Sequence, residues 1–123
     1  AHELCNDTPA LHIWGGETTV CLPENPGTGG RNQHLALAAA TVLDGQNNCW
    51  ILAAGTDGSD GSTGDAGALV DGETITRGSL AGFQAAKALA EANAGAFLAA
   101  SGDVVRTGPT GTNVMDLVIG LKI

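Results

Sequence analysis

Residues 32–43, Asn-Gln-His-Leu-Ala-Leu-Ala-Ala-Ala-Thr-Val-Leu, restrict the fold more than any other stretch of the chain. Wound as a helix, Leu35 to Ala40, Val42 and Leu43 cover most of its circumference. A helix that is apolar nearly all round has to be buried, here against a sheet. Asp44-Gly45 gives it a C-terminal stop. Several runs offer strands for that sheet. Residues 49–54, Cys-Trp-Ile-Leu-Ala-Ala, form a continuous apolar run of the kind found in a central strand covered on both faces. Residues 10–14 are a short apolar strand, broken by Gly15-Gly16-Glu17, and the β-branched residues 18–22 read as a second. Residues 66–70 form a strand or turn, Val104-Val105 a short strand, and residues 114–123 a long closing strand.

Between them, residues 76–100 are alanine-rich and interrupted by Gly78, Gly82 and Gly95. They predict two or three short helices whose Phe83, Leu89, Phe97 and Leu98 face the core. A tight link at Gly15-Gly16 coexists with long crossovers. The expected architecture is therefore α/β: a mixed β-sheet with helices packed on its faces, in a single layered domain over residues 10–123. Residues 1–9 read as a linker or frayed N-terminus, and the lack of an initiator Met leads to the expectation of a processed or excised piece of something larger.

Charge narrows the partners. The formal charge is −8 with only five Lys and Arg, which argues against nucleic acid and against an anionic membrane. No apolar run reaches the length of a transmembrane helix. Cys5, Cys21 and Cys49 lack metal-type spacing and read as free thiols in a reducing, cytoplasmic setting. His2, His12 and His34 are too scattered for a zinc site.

Three glycine-rich loops carry the candidate chemistry. In Gly27-Thr28-Gly29-Gly30-Arg31, glycines run into an arginine that opens the buried helix. A helix N-terminus offers unpaired N–H groups, and the guanidinium adds a planar fork of donors, so the stretch reads as an anion site. The second loop, residues 55–65, follows the central strand, where ligands of open α/β sheets bind. Its Asp57, Asp60 and Asp65 have the wrong spacing for an EF-hand, but Asp57 is placed to meet a hard metal or metal-nucleotide. The third loop, residues 107–113, is rich in hydroxyls and backbone N–H groups that suit a carboxylate or phosphate. There is no Walker A sequence, no dinucleotide fingerprint and no Gly-x-Ser-x-Gly elbow.

Four motifs in order, Gly15-Gly16-Glu17-Thr18-Thr19-Val20, Gly29-Gly30-Arg31-Asn32-Gln33, Ala53-Ala54-Gly55-Thr56-Asp57-Gly58 and Thr107-Gly108-Pro109-Thr110-Gly111-Thr112-Asn113-Val114 with Asp116-Leu117, resemble the MOFRL domain. That domain forms the C-terminal part of type 2 glycerate kinases, including those long labelled hydroxypyruvate reductase. The resemblance implies a kinase that uses ATP and Mg²⁺ to convert D-glycerate to 2-phosphoglycerate, in a cleft between this domain and a larger N-terminal one. It implies that Arg31 and Asp57 are catalytic, with Asp57 also a candidate metal ligand. Glu17, Gly29, Gly30, Asn32, Thr110 and Asn113 are the implied substrate-binding positions. The N-terminal kinase domain is missing from these 123 residues, His34 stands where the family usually has Glu, and Met115 where it often has Asn. One wall of a cleft cannot position two substrates, so the chain alone is expected to turn over nothing measurable. Hydroxypyruvate reduction and a non-catalytic acidic binding module, stabilised by Ca²⁺, are the alternatives.

Overall fold

Five strands and four helices take up the apolar runs, and the computed structural model describes residues 9–16, 22–61 and 63–123. In chain order they are β1 (Ala10–Gly16), α1 (Arg31–Leu43), β2 (Cys49–Gly55), β3 (Gly67–Asp71), α2 (Thr74–Leu80), α3 (Ala85–Ala90), α4 (Ala94–Ser101), β4 (Val104–Val105) and β5 (Asp116–Lys122). The strand expected over residues 18–22 lies, apart from Leu22, outside the described residues, as do Cys5 and Cys21. No helix among the described residues is long and apolar enough to cross a membrane.

The class is α/β, but among the described residues the sheet is antiparallel and not mixed. Its order is β1-β5-β2-β3-β4, and every neighbouring pair is antiparallel. The long crossover through α1 does bring β2 back in the direction of β1, as a crossover should. The two are not neighbours, however, because β5 enters between them and runs against both.

Among the described residues the helices lie on one face of the sheet and not on both. Alternate residues of β2, namely Cys49, Ile51 and Ala53, are buried, and register places Ala68 and Val70 of β3 and Val118 of β5 on the same side. Here α1 packs across β2 and β3 through Ala36, Leu37, Ala40 and Leu43. Alanines along α1 let its backbone approach the strands closely, and Phe97 and Leu98 of α4 fill the space beside it. Phe83 meets Phe97 edge-on, 6.3 Å between ring centres. Gly78 of α2 lies under the Phe97 ring, where a Cβ would overlap it at 2.1 Å. Thr74 begins α2 beside Asp71, whose carboxylate accepts from Arg77 at 3.0 Å; Arg77 also reaches Asp103 at 2.8 Å.

The other face is apolar as well. One transverse row reads Ile13, Ile119, Leu52, Leu69, and the next Leu11, Leu121, Trp50, Asp71. Leu11, Ile13, Leu69 and Leu121 are exposed and Trp50 and Leu52 half-buried. The continuous apolar run of β2 thus predicted cover on two faces, whereas the described residues cover only one.

Candidate active site

At one end of the sheet the register sets Gly16, Asp116 and Gly55 side by side. All three glycine-rich loops converge there. Thr56 ties the second to the third: its N–H and hydroxyl donate to the Met115 carbonyl at 3.1 and 2.7 Å, and its hydroxyl accepts the Val114 N–H at 2.9 Å. Thr110 closes the same seam, its hydroxyl donating to the Thr56 carbonyl at 2.5 Å and its N–H to the Asp57 carbonyl at 3.3 Å. These bonds hold Met115 at φ 69°, in the left-handed region that a side chain rarely enters, with Asn113 Oδ1 accepting its N–H. Asp116 follows at once and opens β5.

The second loop also reaches the start of α1. Asp60 Oδ1 accepts the Asn32 N–H at 2.9 Å and Oδ2 the Gln33 N–H at 2.8 Å, while Asn32 Nδ2 donates to Oδ1 at 3.2 Å. A carboxylate 28 residues away in sequence does the work of an N-cap side chain. Two of the N–H groups that made this helix start an anion site in the sequence, those of Asn32 and Gln33, are taken by the protein's own anion. Gly30 has to be glycine, because a Cβ there would stand 2.4 Å from the Asp60 carboxylate. Burial raises the Asp60 carboxyl above its usual range; the helix N–H bonds oppose this, and the negative charge of Asp116 adds to it.

Arg31, the first residue of α1, projects its guanidinium side-on to Asp116: Nε to Oδ2 at 2.5 Å and a terminal nitrogen to Oδ1 at 3.1 Å. Asp116 is 5% exposed and Arg31 40%, so the buried carboxylate anchors a cation that reaches solvent. Asp57 is exposed and differs from its neighbours. One of its oxygens accepts the Ser59 N–H at 3.0 Å, and the other has no hydrogen bond among the described residues. Arg31, Asp57, Ser59, Asp60, Gly61, Asn113, Met115 and Asp116 line a cleft of about 230 Å³.

The MOFRL family matches residues 10–116, which include every group in that cleft. The chain belongs to the MOFRL family. It is 48% identical to the D-glycerate 2-kinase of Thermotoga maritima over 115 residues, 94% of this chain and 27% of that protein. It is 40% identical to the glycerate 2-kinase of Pyrococcus horikoshii, covering 94% of this chain and 26% of that one. The crystal structure of glycerate kinase from Thermotoga maritima superposes with a TM-score of 0.90 at 46% identity, over 94% of this chain and 28% of the crystallised one. The chain thus spans about a quarter of the length of the curated relatives it matches.

Within this MOFRL domain the residues singled out from the sequence take different places. Arg31, Asp57 and Asn113 share the cleft. Asn32 is buried beside it, with its amide oxygen lacking a partner. Thr110 pins loop to loop, and a Cβ on Gly29 would stand 2.6 Å from the Gly95 nitrogen, so Gly29 and Gly30 allow close packing. Glu17 lies outside the described residues. Asp60 and Asp116 were not singled out as site residues. Asp116 has a signal, the lone carboxylate of an apolar strand; nothing local marks Asp60 as a helix cap.

Among the described residues no three His, Cys, Asp or Glu side chains converge as a metal cage. Mg²⁺ does not need one, since it is commonly held by one or two carboxylates together with water and substrate phosphates. Among the described carboxylates of the cleft, the donor set suits that mode at a single point. Both oxygens of Asp60 are engaged by α1 and both of Asp116 by Arg31, which leaves Asp57.

Proposed function

We propose that this MOFRL domain forms one wall of the active site of an ATP-dependent glycerate 2-kinase, which phosphorylates D-glycerate to 2-phosphoglycerate, and that the other wall comes from an N-terminal kinase domain. The supporting observation is the cleft that pairs an anchored guanidinium, Arg31, with an exposed carboxylate, Asp57, in a chain similar to glycerate 2-kinases. Phosphoryl transfer asks for positioning and neutralisation of charge. Arg31, its fork fixed by Asp116, binds the glycerate carboxylate or the transferring phosphoryl group. Asp57 accepts from the attacking hydroxyl or serves as one ligand of Mg²⁺. Glu17, Asn32, Thr110, Asn113 and the Gly29-Gly30 turn shape the substrate side of the same wall.

Bound Mg²⁺ would neutralise phosphate charge. The charge balance supports that role, because among the described residues the cleft sets one guanidinium against three carboxylates. A wall with this balance repels glycerate and ATP, so further cations have to come from the metal and from the opposite domain. The 123-residue chain alone therefore has no measurable turnover. Both substrates are cytoplasmic metabolites on this reading.

The test uses the full-length protein that carries these residues. Arg31→Ala and Asp57→Asn are each expected to lower kcat/KM for glycerate phosphorylation by ~10²-fold or more, the usual effect of losing a transition-state contact. Near wild-type rates in both variants, or NADH-dependent reduction of hydroxypyruvate in place of phosphorylation, would overturn the reading.

A further inference from the structure

The sheet face turned away from the helices is the second feature of the fold that asks for a partner. Its central row, Ile13, Ile119, Leu52 and Leu69, runs across four strands, with Leu11 and Leu121 in the next row. The only charged side chain that register places with these two rows is Asp71 at the corner, and it is already paired with Arg77. Leu11 is 61% exposed, Ile13 63% and Leu69 46%. A chain carrying 13 Asp and Glu thus keeps carboxylates off the interior of one contiguous surface. Exposed apolar patches of this kind mark contacts.

Geometry selects the occupant. Four strands at ~4.8 Å spacing and about five residues of ~3.3 Å each give a face of roughly 19 by 17 Å, or about 300 Å². A stable dimer needs ~800 Å² from each partner, so a second copy stacked on this face falls well short. A segment of the same polypeptide has no such requirement, because the covalent connection removes the cost of association. About 19 Å is also the width of two α-helices side by side at ~10 Å each. The relatives that share this domain are about three and a half times as long as this chain, so they hold ample chain to supply that layer.

We infer that this face is covered in cis by one or two amphipathic helices from the part of the polypeptide outside these 123 residues, which turns a two-layer domain into a helix–sheet–helix sandwich. The inference rests on the chain being a domain of a longer kinase. The covering helices present an uncharged aliphatic stripe to the row from Ile13 to Leu69, while the cleft at the sheet end stays open to the nucleotide-bearing wall.

Thiol labelling in the full-length protein tests this. Leu69→Cys and Leu11→Cys are reacted with a maleimide, and the introduced site is followed by peptide mass mapping. The native rate is compared with that of the same variant in denaturing urea. Both thiols are expected to react roughly 10²-fold slower in the native monomer, as for a group reached only by local opening. Native rates equal to the unfolded rates overturn the inference. So does protection that disappears on dilution together with dissociation in sedimentation, which would assign the face to a second copy. A kinase assay on the same samples separates the two readings. Protection without glycerate phosphorylation sinks the kinase assignment alone; phosphorylation with both thiols freely reactive sinks this one alone.

Discussion

Asp57 and Asp60 lie three residues apart in one glycine-rich loop and have opposite occupations. Asp60 is 2% exposed, and both its oxygens are committed to the first turn of α1. Asp57 is exposed and holds a single N–H of its own loop. Asp65, further along, follows Asp60 in kind: Arg106 Nε bonds it at 2.9 Å, and Gln33 approaches it at 3.4 Å. One run of carboxylates is thus divided into a part that builds the site and a part that remains available to a ligand. The division follows from where α1 begins, because the N–H groups there need an acceptor and Asp60 is the carboxylate within reach.

The comparison breaks most readily at Asp60. Asp60→Ala leaves two helix N–H groups and the Asn32 amide without their acceptor and is expected to cost about 3 kcal/mol, read from urea unfolding. A loss under about 1 kcal/mol would erase the distinction from Asp57. Next comes Asp57→Asn, for which the ~10²-fold fall in phosphorylation corresponds to about 2.7 kcal/mol of transition-state binding. Its unfolding midpoint should match wild type within about 0.5 kcal/mol, since the group is exposed. A marked loss of stability would instead make Asp57 a second Asp60. Arg106→Ala removes a partner that is 73% exposed and should cost no more than about 1 kcal/mol in the same unfolding assay.

The smallest effect is a pH dependence. Burial makes the folded protein hold the Asp60 proton more tightly than the unfolded chain does. This contribution to stability is complete below the unfolded value of ~3.9 and is lost as the pH rises through the elevated folded value. Measured against Asp60→Asn, wild type should therefore lose relative stability as the pH climbs out of the acid range. A gap that widens in favour of wild type would place the Asp60 pKa below normal.

Much of this was readable in the residues, and the parts that were not share a cause. The helix over residues 31–43, the run of β2 and the closing strand β5 follow from patterns contained within a dozen residues. Arg31 and Asp57 stood out because few cations are available and because loops after buried strands carry ligands. Strand direction could not be read that way, because the antiparallel sheet depends on β5 entering between β1 and β2. The capping role of Asp60 and the anchoring role of Asp116 are equally non-local, joining residues 28 and 85 positions apart. The helix start looked like an empty anion site because its acceptor is encoded in another loop.

The central place of β5 has a consequence in time. During synthesis β1, α1, β2 and β3 all leave the ribosome before the strand that joins the first to the third, so β1 has no described partner until β5 arrives. Pairings so distant in sequence are slow to close, and the unpaired edges invite misassembly in the interval. The same strand opens with Asp116. In a nascent or truncated chain the contact between Arg31 and Asp116 has therefore not formed, and it is made in the same step that completes the fold.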